Sequence, residues 1–455
     1  MGQTTPLSCS ELEKFIGIEN YYVSSGGIGG LLKERPEDFI VSEVVEGGLD
    51  GMEVWDWAPL PHEPSRFSLW ILRKRNRTTL GSLALIAKEL AAGAGEVKIC
   101  GIKDRRAVTY QFVALPAGVS YPAGGKLVLL GGDVEARHIG YVRNLKTHDL
   151  LANRFEVVIR DFSATEQGIN TALSELSAHG APNYFGPQRF GSLRPVAHLV
   201  GRHIVRGELR EAIAVLIGFH TEFEPETVRR ARLSASEHRG FREVLENLPR
   251  SLVYERAVCR HLAEREDDYA GALRRLPIRL RRLFVEAYSS YIFNRALSLS
   301  LRDGLRLDEP REGDLIVRLD PYQRPYGRVI PVDRWNIEEA ATRVARGEAA
   351  ISLPQLGYLT WLPRGPRGDA LRTVLDEEGV STSSFKVRHL PELSTRGKPR
   401  PILLRPRAIS REIVCEDSLV LRFALPPSSY ATSLLRELMK VRCGLAYVGL
   451  RHCYA

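Results

Sequence analysis

The chain has 455 residues, 44% hydrophobic and 26% charged, with a formal net charge of +9. That is an ordinary globular balance, for which disorder is not the default, and it allows two domains or three, while the basic excess favours a polyanionic partner whose phosphates release counterions on contact. No apolar run reaches the roughly 18 to 20 residues a bilayer requires, the start lacks a basic-then-apolar leader, and none of Cys9, Cys100, Cys259, Cys415, Cys443 and Cys453 forms a CxxC pair; a cytoplasmic protein with reduced, structural thiols and no membrane partner is expected.

The glycine-rich stretch at 24–30 precedes an extended segment and lacks a following Gly-Lys-Ser/Thr, so it is not a phosphate loop. Apolar and β-branched residues predict a strand over Phe39–Val45. Alternation of Phe67, Leu69 and Ile71 with Ser68, Trp70 and Leu72 predicts another. Thr78 and Thr79 offer N-caps to a helix with Leu80, Leu83, Ile86, Ala87 and Leu90 on one face. Strands follow at 97–101 and 107–115, leaving 102–106 as a tight connection. A strand at 155–159 and a helix at 168–179 complete a mixed portion in which strands prevail. This predicts an α+β domain with a mainly antiparallel sheet.

From 209 the pattern turns helical and Arg-rich, with helices at 209–217, 226–235, 241–248 and 280–300. Residues 313–410 are Pro- and Gly-rich, with short strands and one helix near 337–346. A strand at Ser418–Leu425 and an amphipathic helix at 430–440 read as a return to the first domain. The expected organisation is a catalytic body of 1–208 and 410–455 with an α+β insertion of 209–409.

Three segments carry candidate chemistry. Asp104 is flanked by Lys103, Arg105 and Arg106; cations favour its ionised form, so it reads as a nucleophile or base offered to RNA, or as a surface salt-bridge turn. Residues 183–191, from Asn183 through Phe185, Gln188 and Arg189, combine rings that stack on bases, amides that read a uracil edge and a cation for phosphate. A loop packing its aromatics inward is the alternative. Lys33 and the acids before Phe39 either line a site or stand in solvent. The histidines show no HxxxH or HExxH spacing, and no serine elbow is present. Cys443 and Cys453 lie near His452; terminal packing is the stronger reading there, and no metal is expected.

Lys33-x-x-Pro36-Glu37-Asp38-Phe39, Gly101-x-Lys103-Asp104-x-Arg106-Ala107-Val108-Thr109-x-Gln111 and Pro182-Asn183-Tyr184-Phe185-Gly186-x-Gln188-Arg189-Phe190-Gly191 occur in this order. Together they resemble the TruD family of tRNA pseudouridine synthases. Weaker matches continue at Ala287-Tyr288-Ser289-Ser290-Tyr291-Ile292-Phe293-Asn294, Gly313-Asp314 and Ser429-Tyr430-Ala431-Thr432. Ala152 and Ser428 stand where the family pattern has glycine, which puts local turn geometry in question. The length suggests an archaeal-type member with a larger insertion.

The resemblance implies a pseudouridine-synthase catalytic domain carrying an inserted TRUD domain. It implies that Asp104 is the catalytic carboxylate, Lys33 the cation beside it, and Phe185 and Asn183 the active-site aromatic and amide. Gln188, Arg189, Lys103 and Arg106 are expected to hold substrate. The reaction would isomerise a tRNA uridine, at position 13 or at position 35 in the anticodon, without a cofactor, in a monomer. A catalytically silent RNA-binding protein on the same fold is the alternative. An RNA methyltransferase would need a glycine-rich cofactor loop between strand and helix, which 24–30 does not provide.

Overall fold

The computed structural model describes residues 11–56, 65–93, 96–119, 124–237, 240–415 and 417–450. Cys9, His452 and Cys453 lie outside the described residues, and with them the metal-site alternative at the C-terminus. Strands form where apolar and β-branched residues alternate or run together. Six longer strands lie in the first part of the chain: β1 (Phe39–Val45), β2 (Phe67–Arg75), β3 (Val108–Pro116), β4 (Lys126–Leu129), β5 (Val134–Val142) and β6 (Leu150–Phe162). Four belong to a second sheet: β7 (Leu315–Leu319), β8 (Pro325–Pro331), β9 (Ala349–Gln355) and β10 (Lys398–Pro401). Two close the chain: β11 (Arg407–Cys415) and β12 (Ser418–Leu425).

The first and last groups share one sheet, ordered β11-β12-β6-β1-β3-β2-β5-β4, with three short strands alongside. Only the β1–β3 pairing is parallel; the other neighbours along this path run antiparallel. The expected return of the chain end is β12, which pairs with β6 from Ser418 opposite Arg160 to Leu425 opposite Asn153. The second sheet runs β8-β7-β9-β10, all antiparallel. The fold is therefore α+β with mainly antiparallel sheets, as the sequence indicates.

Eight helices matter for the site and its support: α1 (Thr79–Glu89), α2 (Glu166–His179), α3 (Ala197–Arg206), α4 (Leu209–Gly218), α5 (Val253–Glu264), α6 (Ile278–Arg302), α7 (Gly365–Glu377) and α8 (Ala431–Met439). Thr78 caps α1, its side chain accepting from the Gly81 amide at 3.2 Å. α2 and α8 cover one part of the large sheet: Ile169, Leu176, Leu434 and Leu438 pack with Val41, Val157 and Phe423. α1 covers another, through Leu83, Ile86 and Leu90 against Trp70, Leu72 and Val113. The largest core surrounds α6, whose Phe284, Tyr288, Ile292 and Phe293 are buried among residues of α3, α4, α5, α7 and β9. Tyr184, Phe185 and Phe190 belong to that same core.

Cys443 is disulfide-bonded. This corrects the expectation that every thiol is reduced. Pairing depends on Cα separation in space, so the lack of a CxxC spacing did not exclude it. Cys100, Cys259 and Cys415 are free. Among the described residues, no helix is long and apolar enough to cross a membrane and no group of His, Cys, Asp and Glu is arranged to hold a metal ion.

Candidate active site

A cleft of ≈ 330 Å³ opens over the central strands β1 and β6 of the large sheet, among Phe39, Lys103, Asp104, Asn153, Gln188 and Tyr430. Its floor is the connection before β3. Four side chains from other elements fix that connection. Gln111 of β3 donates to the Gly101 carbonyl at 3.0 Å. Thr79, at the start of α1, accepts from the Lys103 amide at 3.1 Å and donates to the Gln111 side-chain oxygen at 3.1 Å. Lys74 of β2, fully buried, donates to the Asp104 carbonyl at 2.6 Å. Lys33 donates to Asp104 Oδ2 at 2.5 Å.

Lys33 is itself buried, 3% exposed, with its ammonium 3.9 Å from the centre of the Phe39 ring. It adopts φ 56°, a conformation uncommon for residues with a side chain. The C-terminal segment braces it: Leu32 N–H donates to the Ala446 carbonyl at 3.0 Å, and a Cβ on Gly449 would collide with the Lys33 carbonyl. Burial pushes the Asp104 carboxyl up, but Lys33, then Lys74 and Lys103, outweigh it and leave the group below its ordinary range. Asp104 is thus ionised at neutral pH, and about a third of its side chain (33%) remains open to the cleft. Burial pulls Lys74 down to about 8, opposed by Asp104 and reinforced by Lys103 and Lys33.

Lys103 lines the cleft but spends its ammonium on Glu43 at 2.5 Å. Glu43 is fully buried on β1 and also accepts from the Phe112 amide at 2.9 Å. Cys100, also lining the cleft, carries a thiol that burial, with Glu43, pushes up to about 12, so it stays protonated. Arg106 is outside the cleft lining, its guanidinium donating to the Glu34 carbonyl at 2.9 Å.

The 183–191 segment divides between cleft wall and support. Gln188 lines the cleft, its side-chain oxygen accepting from Thr432 at 3.3 Å. Asn183 and Phe185 lie behind the wall, each 4% exposed. The Asn183 amide donates to the Pro401 carbonyl at 2.9 Å and accepts from Arg400 at 2.7 Å. Phe185 lies under Arg400, whose guanidinium carbon is 3.9 Å from the ring centre, and meets Tyr430 edge-on at 6.0 Å. Arg189 pairs with Glu286 at 2.8 Å and donates to Ser290 at 3.2 Å. Asp104, Lys33, Lys103 and Gln188 therefore converge at the cleft, whereas Asn183, Phe185, Arg189 and Arg106 stand behind or beside it.

Three residues that sequence reasoning did not select belong to the site. Tyr430, just before α8, is the ring that faces the cleft in front of Phe185. Asn153 of β6 lines the cleft with its Oδ1 buried and without a hydrogen-bond partner. Lys74 holds the Asp104 backbone. The available signal for Tyr430 was its place in the Ser429-Tyr430-Ala431-Thr432 match; for Asn153 it was the departure at Ala152 next to it.

The arrangement offers one ionised carboxylate, the rings of Phe39, Phe155 and Tyr430 and an amide oxygen without a partner in a cleft of ≈ 330 Å³. The sequence profile described as "tRNA pseudouridine synthase D (TruD)" matches residues 15–438. A Methanosarcina acetivorans protein named "Probable tRNA pseudouridine synthase D" is 35% identical, over 96% of this chain and 98% of its own. A Thermococcus sibiricus protein of the same name is 31% identical, over 94% and 99%. A crystal structure from Methanosarcina mazei, described as "Putative tRNA pseudouridine synthase D (TruD)", superposes with a TM-score of 0.77 at 32% identity, covering 96% of this chain and 99% of that one. With matches of this extent in sequence and in fold, the chain belongs to the tRNA pseudouridine synthase D (TruD) family.

Proposed function

We propose that the protein isomerises a uridine of tRNA to pseudouridine, with Asp104 as the reacting carboxylate. Position 13 is the target expected first and position 35 the second. The reading rests above all on Asp104, an ionised acid held by a buried lysine and open to the cleft. In the reaction the C1′–N1 bond breaks and a C1′–C5 bond forms. The C5 proton leaves and N1 gains one, so no oxidant, reductant or group donor is consumed. Asp104 either adds to the sugar or base, or removes the C2′ proton to give a glycal.

The target base must leave its stack, at a cost of about a few kcal/mol. Tyr430, backed by Phe185 and Arg400, provides the surface to receive it. A buried acceptor without a partner costs about 1–3 kcal/mol; the N3–H of uracil can satisfy Asn153, and Gln188 stands across the cleft for a second contact. Lys103 and Arg106 keep the Asp104 connection in place beside the substrate, while Asn183 and Arg189 tie the 183–191 segment to its surroundings. Residues 1–208 and 410–455 act as the catalytic body and 209–409 as the TRUD insertion, in a cytoplasmic monomer that uses no cofactor.

The test uses tRNA transcripts labelled with tritium at C5 of uridine, without cofactor or metal. Wild type is expected to release tritium. Asp104→Asn is expected to release none, and Lys33→Met to be slowed at least tenfold. Full activity of Lys33→Met would remove the lysine from the mechanism. Tight binding of tRNA with no release by wild type would favour a silent RNA-binding protein.

A further inference from the structure

We infer that the β7–β8 hairpin of the insertion receives unpaired nucleotides flanking the uridine held over Asp104; the inference rests on the tRNA reading of the cleft. The hairpin begins at the cleft itself. Arg324, at its tip, donates to the carbonyls of His148 at 2.7 Å and Leu150 at 3.1 Å, and Thr147 and Leu150 line the cleft. Arg407 of β11 approaches the ring of Tyr322, also at the tip, at 5.3 Å. An RNA chain leaving the cleft past Thr147 meets this hairpin next.

β8 is an edge strand, and from Pro325 to Arg328 it is exposed. Tyr326 is 52% exposed and stands opposite Arg318, also exposed, on the paired strand. Just past β8, Trp335 is 82% exposed, with the Arg334 guanidinium carbon 4.5 Å from its ring centre. Among the described residues, Arg318, Arg328 and Arg334 carry no ion pair. The neighbouring acids are already engaged: Asp320 pairs with Arg324 at 2.7 Å, and Asp333 accepts from the amides of Trp335 and Asn336.

Exposed rings beside uncompensated arginines match single-stranded nucleic acid, in which bases stack and phosphates pair with cations. An added protein strand fits less well. Pro325 and Pro331 lack the amide hydrogens that strand addition uses, and the register shifts between Ile316 and Arg318. β8 spans about 20 Å, so the surface carries contacts well beyond the reacting nucleotide.

The experiment compares wild type with Tyr326→Ala/Trp335→Ala and with Arg318→Gln/Arg328→Gln, each verified to melt at the wild-type temperature. Two readouts are taken on full-length tRNA transcripts: tritium release as a function of tRNA concentration, and fluorescence anisotropy of tRNA binding at several salt concentrations. The ring variant is expected to raise KM and Kd by roughly tenfold or more, with kcat within twofold of wild type. The arginine variant is expected to flatten the slope of log affinity against log salt by about 0.7 for each residue that contacts a phosphate. Unchanged KM and Kd in both variants would overturn the inference. So would a wild-type dimer that the ring variant converts to monomer with tRNA affinity unchanged, since the hairpin would then bind a second copy. If wild type releases no tritium the reaction assignment fails, yet the anisotropy arm still decides whether the hairpin binds RNA.

Discussion

Lys74 illustrates how much a single buried charge can hold. It is fully buried, its ammonium bonds the Asp104 carbonyl at 2.6 Å, and burial pulls its proton affinity down to about 8. In the unfolded chain a lysine keeps its proton to about 10.4. Below pH 8 both states are protonated, and the charged burial weakens the fold by about 3 kcal/mol. Between pH 8 and about 10.4 the unfolded state binds the extra proton, so the contribution of this residue to stability rises with pH. Urea unfolding of wild type and Lys74→Met at pH 7.5 and 10 checks this. The wild-type value, less that of the variant, is expected to grow by about 2–3 kcal/mol over that interval; a difference independent of pH would mean that Lys74 is not depressed. Nothing in the sequence marked this residue, because one lysine near the end of an alternating strand reads as solvated. Asp104 was legible through its flanking cations and motif, whereas the orphaned Asn153 oxygen became visible only once β6, β12 and Gln188 were brought together.

At the scale of elements, the turn from β12 into α8 shapes the cleft wall. Ser428 there adopts φ 66° and its carbonyl accepts from Arg400 at 2.9 Å. The left-handed conformation costs a residue with a Cβ about 1–2 kcal/mol, which explains why a glycine suits this position in the family pattern. Ser428→Gly is expected to stabilise the protein by about 0.5 kcal/mol, the relief being offset in part by the entropy glycine adds to the unfolded chain. Ser428→Val is expected to lose more than about 1 kcal/mol, since β-branching makes positive φ harder, and to slow tritium release because Tyr430 follows two residues on. Urea midpoints and release rates of both variants check this; equal stabilities would show that the turn carries no strain. Elements with a clean apolar period, such as β1 and β12, were legible to the residue. The strand read at 97–101 shrank to Lys98–Ile99. α3 and α7 were not read, for identifiable reasons. α3 contains Gly201, needed because a Cβ there would collide with the Phe284 carbonyl of α6. α7 opens with Gly365-Pro366-Arg367-Gly368, a loop-like run that becomes helical around the buried Arg367–Asp314 pair.

Over the whole molecule, the long helix α6 is joined to the 183–191 segment by buried polar groups as well as by a common core. Asn294 of α6 accepts from the Phe185 amide at 2.9 Å and donates to the carbonyls of Phe185 and Ile16, both at 3.0 Å. Ser298, one turn on, meets the Tyr184 hydroxyl at 3.0 Å and donates to the Gly17 carbonyl at 2.9 Å. Arg400 of β10 adds bonds to Asn183 and Ser428 from the second sheet. The ring behind Tyr430 is therefore positioned by α6 and the second sheet as much as by the large sheet. Chain segments so connected should unfold together, and calorimetry of wild type is expected to give one transition. Asn294→Leu removes two N–H donors and one acceptor, leaving the Phe185 amide and two carbonyls unpaired inside the protein. With each unmet buried group costing about 1–3 kcal/mol, the variant is expected to lose at least about 3 kcal/mol and to separate the transition into two. Its tritium release should fall even where it remains folded, because Phe185 loses the bond that sets its depth behind the cleft. A single transition at the wild-type temperature would show that the large sheet alone positions the 183–191 segment.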